Sequence, residues 1–144
     1  MSKTDLAKIL SVSGQHSLYQ FVAQARNGAI AENLEDKKRT VFSATARITT
    51  LEDIAIYTSE GEMRLAEVFK ALKAVLGEDD APSAKTAADK ELTGLFTKAI
   101  PNYDSDRFYV SHMRKVVDWY NQLKKFATLE FVTEEDRKAE NENA

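Results

Sequence analysis

The chain has 144 residues, 30% charged and 43% hydrophobic, a composition that fits one ordinary globular domain or two small ones. It contains no cysteine, which excludes disulfide staples, thiolate metal sites and cysteine nucleophiles and fits a reducing compartment. The net charge of −3 is unevenly spread: residues 1–128 are close to neutral, while 129–144 hold six Asp/Glu against two Lys/Arg, so the body carries no strong electrostatic footprint for nucleic acid.

The first residues, "MSKTDLAKILSVSG", lack the apolar core and small-residue cleavage site of a signal peptide. No stretch approaches the ~20 apolar residues that span a bilayer. Both features point to a soluble, cytoplasmic protein. Within residues 4–10, Leu6, Ile9 and Leu10 share one helical face behind a Thr4 cap, which predicts a short helix, with Gly14 ending the segment.

Tyr19, Phe21, Ala23 and Ala25 then alternate with Gln20, Val22, Gln24 and Arg26, the period of a strand with one buried face. The run meets Asn27-Gly28, a type I′ hairpin signal. A second strand is expected at about 29–34, a turn at "EDKK", a third strand at "RTVFSA", a fourth at "DIAIYT" (53–58), and a turn at "SEGE". Three or four short strands cannot leave both faces wet, so the meander must curl on itself or be covered by a helix. The cover is "EMRLAEVFKALKAVLG", where Leu65, Val68, Phe69, Leu72, Val75 and Leu76 recur at helical spacing and Gly77 stands at the C′ position.

Residues 77–88, "GEDDAPSAKTAA", hold no large apolar side chain and read as a linker. Leu92, Leu95, Phe96, Ala99 and Ile100 form a helix stopped by Pro101, and Val116, Val117, Tyr120, Leu123 and Ala127 form a final amphipathic helix. The expected fold is α+β. A small antiparallel β-barrel or curled sheet of three to four strands, with flanking helices, occupies 1–77. A linker (78–88) and a helical hairpin module (89–132) follow, and an acidic tail (133–144) is expected to be disordered.

The stretch "YDSDRFYVSHMRKVVDWY", residues 103–120, looks chemical. Ser111 and His112, as sequence neighbours on a helix, point about 100° apart and do not face each other. No G-x-S-x-G elbow is present. Counted from Asp104 as an EF-hand loop, the sixth and twelfth positions are Tyr109 and Lys115 instead of Gly and Glu. No second His or Cys lies nearby for zinc. Ser111 reads instead as an N-cap and Asp104 as a brace for the turn after Pro101. No catalytic, cofactor-binding or metal-binding residue is assigned, and no cofactor is expected.

The segments "LYQFVAQARNGAIAENLEDKKR", "LEDIAIYT" and "PNYDSDRFYVSHMRKVVDWYNQL" together resemble a domain-of-unknown-function family of small bacterial proteins, over about residues 5 to 127. The resemblance implies a β-barrel-like N-terminal part followed by a helical C-terminal part. It carries no activity.

The function expected is a non-enzymatic protein-interaction module with an unidentified protein partner, offering aromatics such as Tyr57, Tyr103, Phe108 and Tyr109. The alternative is weak RNA or DNA binding. It rests on the basic turn Lys37, Lys38 and Arg39 and on Arg107, Arg114, Lys115, Lys124 and Lys125 beside those aromatics. Arg114, Lys115 and Lys125 fall within about one third of a helix circumference. The candidate partner-binding set is therefore Lys37, Lys38, Arg39, Arg107, Tyr109, Arg114, Lys115 and Lys125.

Overall fold

The structure, a computed structural model, describes residues 3–133 together with 135, 136 and 138. The tail expected to be disordered falls largely outside these residues. One 3₁₀ turn (Leu6–Lys8) leads into β1 (Ile9–Val12), β2 (Tyr19–Ala25), β3 (Gly28–Asn33), β4 (Arg39–Ser43) and β5 (Ile48–Thr50). These five strands form one antiparallel sheet in the order β4-β3-β2-β1-β5. A second 3₁₀ turn (Leu51–Asp53) precedes β6 (Ala55–Thr58) and β7 (Gly61–Arg64), which form a separate two-stranded antiparallel sheet. Three helices follow: α1 (Leu65–Leu76), α2 (Asp89–Ala99) and α3 (Val110–Phe126). The α+β class is as expected, with seven strands where three or four were read.

The helix expected over 4–10 is instead a single 3₁₀ turn and a strand. Ile9 and Leu10, both buried, belong to two different apolar clusters, which only the alternation of a strand allows. The turn is capped by Asp5, whose carboxylate accepts from Ala7 N at 3.0 Å, and not by Thr4. The hairpin at Asn27-Gly28 also differs in kind. Ala25 pairs with Gly28, so Arg26 and Asn27 make the turn, and neither they nor Gly28 has positive φ. Gly28 lies inside the ladder opposite Ser43, where a Cβ would stand 1.8 Å from the Phe42 carbonyl oxygen. The glycine is required for the close approach of β4, not for a left-handed turn.

The sheet curls without closing. The register shifts between Phe21 and Ala23, a bulge that bends β2. Phe42 on one edge strand and Ile48 on the other both pack on the cluster of Leu10, Val12, Tyr19 and Ala31. Phe42 meets Tyr19 edge to face at 4.9 Å. No ladder joins β4 to β5, so the closed barrel is not formed among the described residues.

The main core lies on the opposite face of β1 and continues through all three helices. Leu65, Val68, Phe69 and Leu72 of α1 are fully buried. Phe69 meets Tyr120 of α3 at 6.1 Å and Phe131 at 5.6 Å. Gly77 closes α1 with φ of +61° while its N–H donates to the Lys73 carbonyl at 2.8 Å, the C′ role its position suggests. Residues 77–88 run against α3. Asn121 exchanges two hydrogen bonds with the Ala81 backbone, at 2.9 and 3.1 Å, and Ala81 and Ala87 are buried. Tyr120 is buried with no hydrogen-bond partner for its hydroxyl among the described residues, and burial, followed by the Asp80 and Glu78 carboxylates, raises its pKa.

Ser111 does not cap α3. The helix begins one residue earlier, at Val110, behind Tyr109. The exposed Tyr109 N–H donates to His112 Nδ1 at 3.0 Å, so the histidine ring does the work that Glu or Gln does in a capping box. Beyond α3 the chain doubles back as a strap. Thr4 N–H donates to the Glu130 carbonyl at 2.7 Å, Val132 N–H donates to the Thr4 carbonyl at 2.9 Å, and Phe131 enters the core between them.

Four substitutions test these placements through stability in urea. Gly28→Ala should cost about 1–3 kcal/mol through overpacking against β4, and an unchanged midpoint would contradict the close approach. Phe131→Ala should cost about 3–5 kcal/mol, the range for a buried Phe. His112→Ala should cost about 1 kcal/mol, as a lost cap does, while the exposed Ser111→Ala stays within about 0.5 kcal/mol.

Candidate binding cleft

A cleft of about 270 Å³ opens between β6, the loop before α3, and α3 itself. Its position follows from backbone pairing. Asp104 N–H donates to the Tyr57 carbonyl and Ser59 N–H to the Asn102 carbonyl, both at 2.9 Å, which pins the loop along the outer edge of β6. On α3, His112, Lys115, Val116 and Trp119 stand at i, i+3, i+4 and i+7, so one helical stripe forms the facing wall. Ile54, Ile56, Phe108, Val116 and Trp119 supply apolar surface. Phe108 is fixed by edge-to-face contacts with Phe96 at 5.1 Å and Tyr103 at 5.8 Å, and by a stacked contact with His112 at 6.2 Å.

The polar groups at the mouth are donors. Arg107 lies over the Tyr57 ring at 5.0 Å, and its Nε is 3.7 Å from Asp104. Asp104 also braces the turn by accepting from Asp106 N–H at 2.9 Å. His112 Nδ1 is occupied by the Tyr109 N–H, so the neutral ring carries its proton on Nε2. Lys115 is exposed and forms no ion pair among the described residues. The combination can hold an apolar group and present cations to whatever adjoins it.

Of the residues singled out in the sequence, Arg107 and Lys115 line this cleft, together with Tyr57 and Phe108. Tyr109 stands beside it, 55% exposed and stacked on His112 at 5.3 Å. Arg114 turns away, donating to the Ala84 carbonyl at 2.9 Å and to Asp89 at 2.7 Å. Lys124 does the same with the Glu78 carbonyl at 2.8 Å and Asp80 at 2.7 Å. Lys125 lies over the Phe126 ring and lines a separate depression with His16 and Asp118. Lys37, Lys38 and Arg39 sit at the turn between β3 and β4, where Arg39 faces Glu32 at 3.6 Å. The contributions of Ile54, Ala55, Ile56 and Trp119 were not read from the sequence. The signal available was the 112-115-116-119 stripe, which mixes polar and apolar residues and so hides among the faces of α3. Among the described residues no three His, Asp or Glu side chains converge as a metal site requires. No helix among them is long and apolar enough to cross a membrane.

Two family models match consecutive parts of the chain. Residues 6–51 match a domain of unknown function (DUF5606) and residues 54–123 match another (DUF6852). The two segments meet at the 3₁₀ turn Leu51–Asp53, where the five-stranded sheet gives way to β6. No curated protein matches the chain. Among solved structures, a protein of Bacteroides vulgatus, determined by NMR in solution as a structural-genomics target, is 35% identical with a TM-score of 0.71, over 85% of this chain and 87% of that one. With that identity along nearly the whole of both chains, this protein belongs to the same family as the Bacteroides vulgatus protein, and its two consecutive parts match domains of unknown function.

Proposed function

We propose that the protein is a non-enzymatic, cytoplasmic interaction module that takes an apolar side chain of a partner protein into the cleft between β6 and α3. The observation that carries this reading is the cleft itself, an apolar floor bordered by the uncommitted cation Lys115. Hydrophobic anchors seated in a concave pocket are where interfaces concentrate their energy. A non-enzymatic role is supported by the histidines: His112 holds a backbone N–H, and His16 faces Asp118 at 3.1 Å on another surface. The cysteine-free composition supports a reducing compartment. Nucleic-acid binding is the second reading, because Arg107 and Lys115 do stand beside aromatic rings. Against it, Arg114 and Lys124 are turned onto backbone carbonyls and carboxylates and are not free for phosphates.

Affinity capture from the native cell, with and without nuclease, tests this function. The half-buried Ala55 lines the cleft, and Ala55→Arg should fill it. The expected result is a protein partner retained by the native chain, insensitive to nuclease and lost with Ala55→Arg. Capture that nuclease abolishes, or that the variant leaves unchanged, would overturn the reading.

A further inference from the structure

We infer that the partner segment received by this cleft is acidic: a peptide in which a large apolar side chain is flanked by carboxylates. The inference rests on the interaction-module reading and adds the chemistry of the partner. It is argued from charge complementarity. The mouth offers the outer nitrogens of Arg107, the ammonium of Lys115 and the Nε2–H of His112, all donors. No Asp or Glu lines the cleft, and Asp104, in the loop before α3, is already engaged by Arg107 and by the Asp106 N–H. A neutral segment seated here would cover Lys115 without pairing it, which costs desolvation energy, and a basic segment would be repelled. A carboxylate beside the anchor satisfies both conditions, and the planar fork of Arg107 suits bidentate contact.

The floor fixes the other half of the ligand. Ile56, Phe108 and Val116 are buried to 5% exposure or less, so the bottom of the cleft is apolar and already packed in place. Its volume of about 270 Å³ suits one large side chain. It falls below the roughly 300–1,000 Å³ of pockets that enclose cofactors and drug-sized molecules. The acidic tail of this chain supplies no such anchor from its own Phe131, which is buried against Phe69.

Trp119, the only tryptophan of the chain, lines the cleft and reports occupancy directly. The full chain is titrated, following Trp119 emission, with four probes: a blocked peptide with Phe between glutamates, the same with Phe between lysines, a glutamate peptide with Ala in place of Phe, and oligothymidylate. The expected result is binding of the Glu-Phe peptide alone, weakened by salt. Lys115→Glu should weaken it about tenfold or more, while Lys125→Glu, outside the cleft, leaves it unchanged. Melting curves of both variants confirm that they fold. Equal binding of the lysine peptide would overturn the acidic assignment and leave the cleft as a site for apolar anchors. Equal binding of the alanine peptide would remove the anchor and the module reading with it. A response to oligothymidylate that needs Lys115 would replace the peptide by nucleic acid. Silence from every probe would overturn the inference, while retention of a partner that Ala55→Arg abolishes would still uphold the module.

Discussion

Withdrawal of one helical stripe from water is the constraint around which this fold is arranged. Leu65, Val68, Phe69 and Leu72 have no exposed surface, and each such burial contributes about 1.5–3 kcal/mol. A stripe on one helix cannot be covered completely by a single neighbour. The cluster that surrounds it draws Ile9, Leu18 and Leu34 from the sheet side, Phe96 and Tyr120 from the following helices, and Phe131 from the strap. Several elements with weak signals of their own are therefore held in place by their contacts with α1. The cleft inherits its rigidity from the same packing, since Val116 and Phe108 are members of this cluster as well as of the cleft wall.

Much of the secondary structure was legible from periodicity. β2, β3, β4 and β6 show the alternation or turn punctuation of strands, and the stripe of α1, the Pro101 stop after α2 and the body of α3 are equally plain. The misses have physical causes. β1 buries residues on both faces, so it shows no alternation, and its Leu6, Ile9 and Leu10 satisfy a helical spacing by coincidence. β5 is three residues long and its pairing is dictated by β1, not by its own composition. Gly28 was read for conformational freedom when the sheet needs it for lack of a side chain. The cap of α3 was assigned to Ser111, the residue type that usually caps, whereas the helix starts behind Tyr109, whose N–H is held by the His112 ring. For the cleft, Arg107, Lys115, Tyr57 and Phe108 stood out as charged or aromatic residues, but their meeting depends on the pairing of residues 102–104 with β6, which no local pattern announces.

Charge was the property most easily misread. On α3, Arg114, Asn121 and Lys124 lie seven and three residues apart, on one face of the helix, and all three take backbone groups of residues 78–84 as partners. The chain there has no large apolar side chain with which to dock, so polar side chains reaching its carbonyls do the docking. The accompanying ion pairs with Asp80 and Asp89, acids that are 78% and 73% exposed, contribute only about 0–1 kcal/mol each. Their significance lies in removing two cations from the surface. In sequence, such residues look like any solvated basic face.

The strap bears on how the molecule is made. Thr4 is bonded to residues 128, 130 and 132, contacts of very high sequence separation. A ribosome delivers β1 through α3 before the partners of Thr4 exist outside the exit tunnel. Until they emerge, the ring of Phe69 lacks Phe131 on one side and the first 3₁₀ turn has nothing to hold its leading end. The Thr4 contacts span nearly the whole described chain, so they carry the largest loop-closure cost of any backbone pairing in the fold, and the core around Phe69 is complete only once they form.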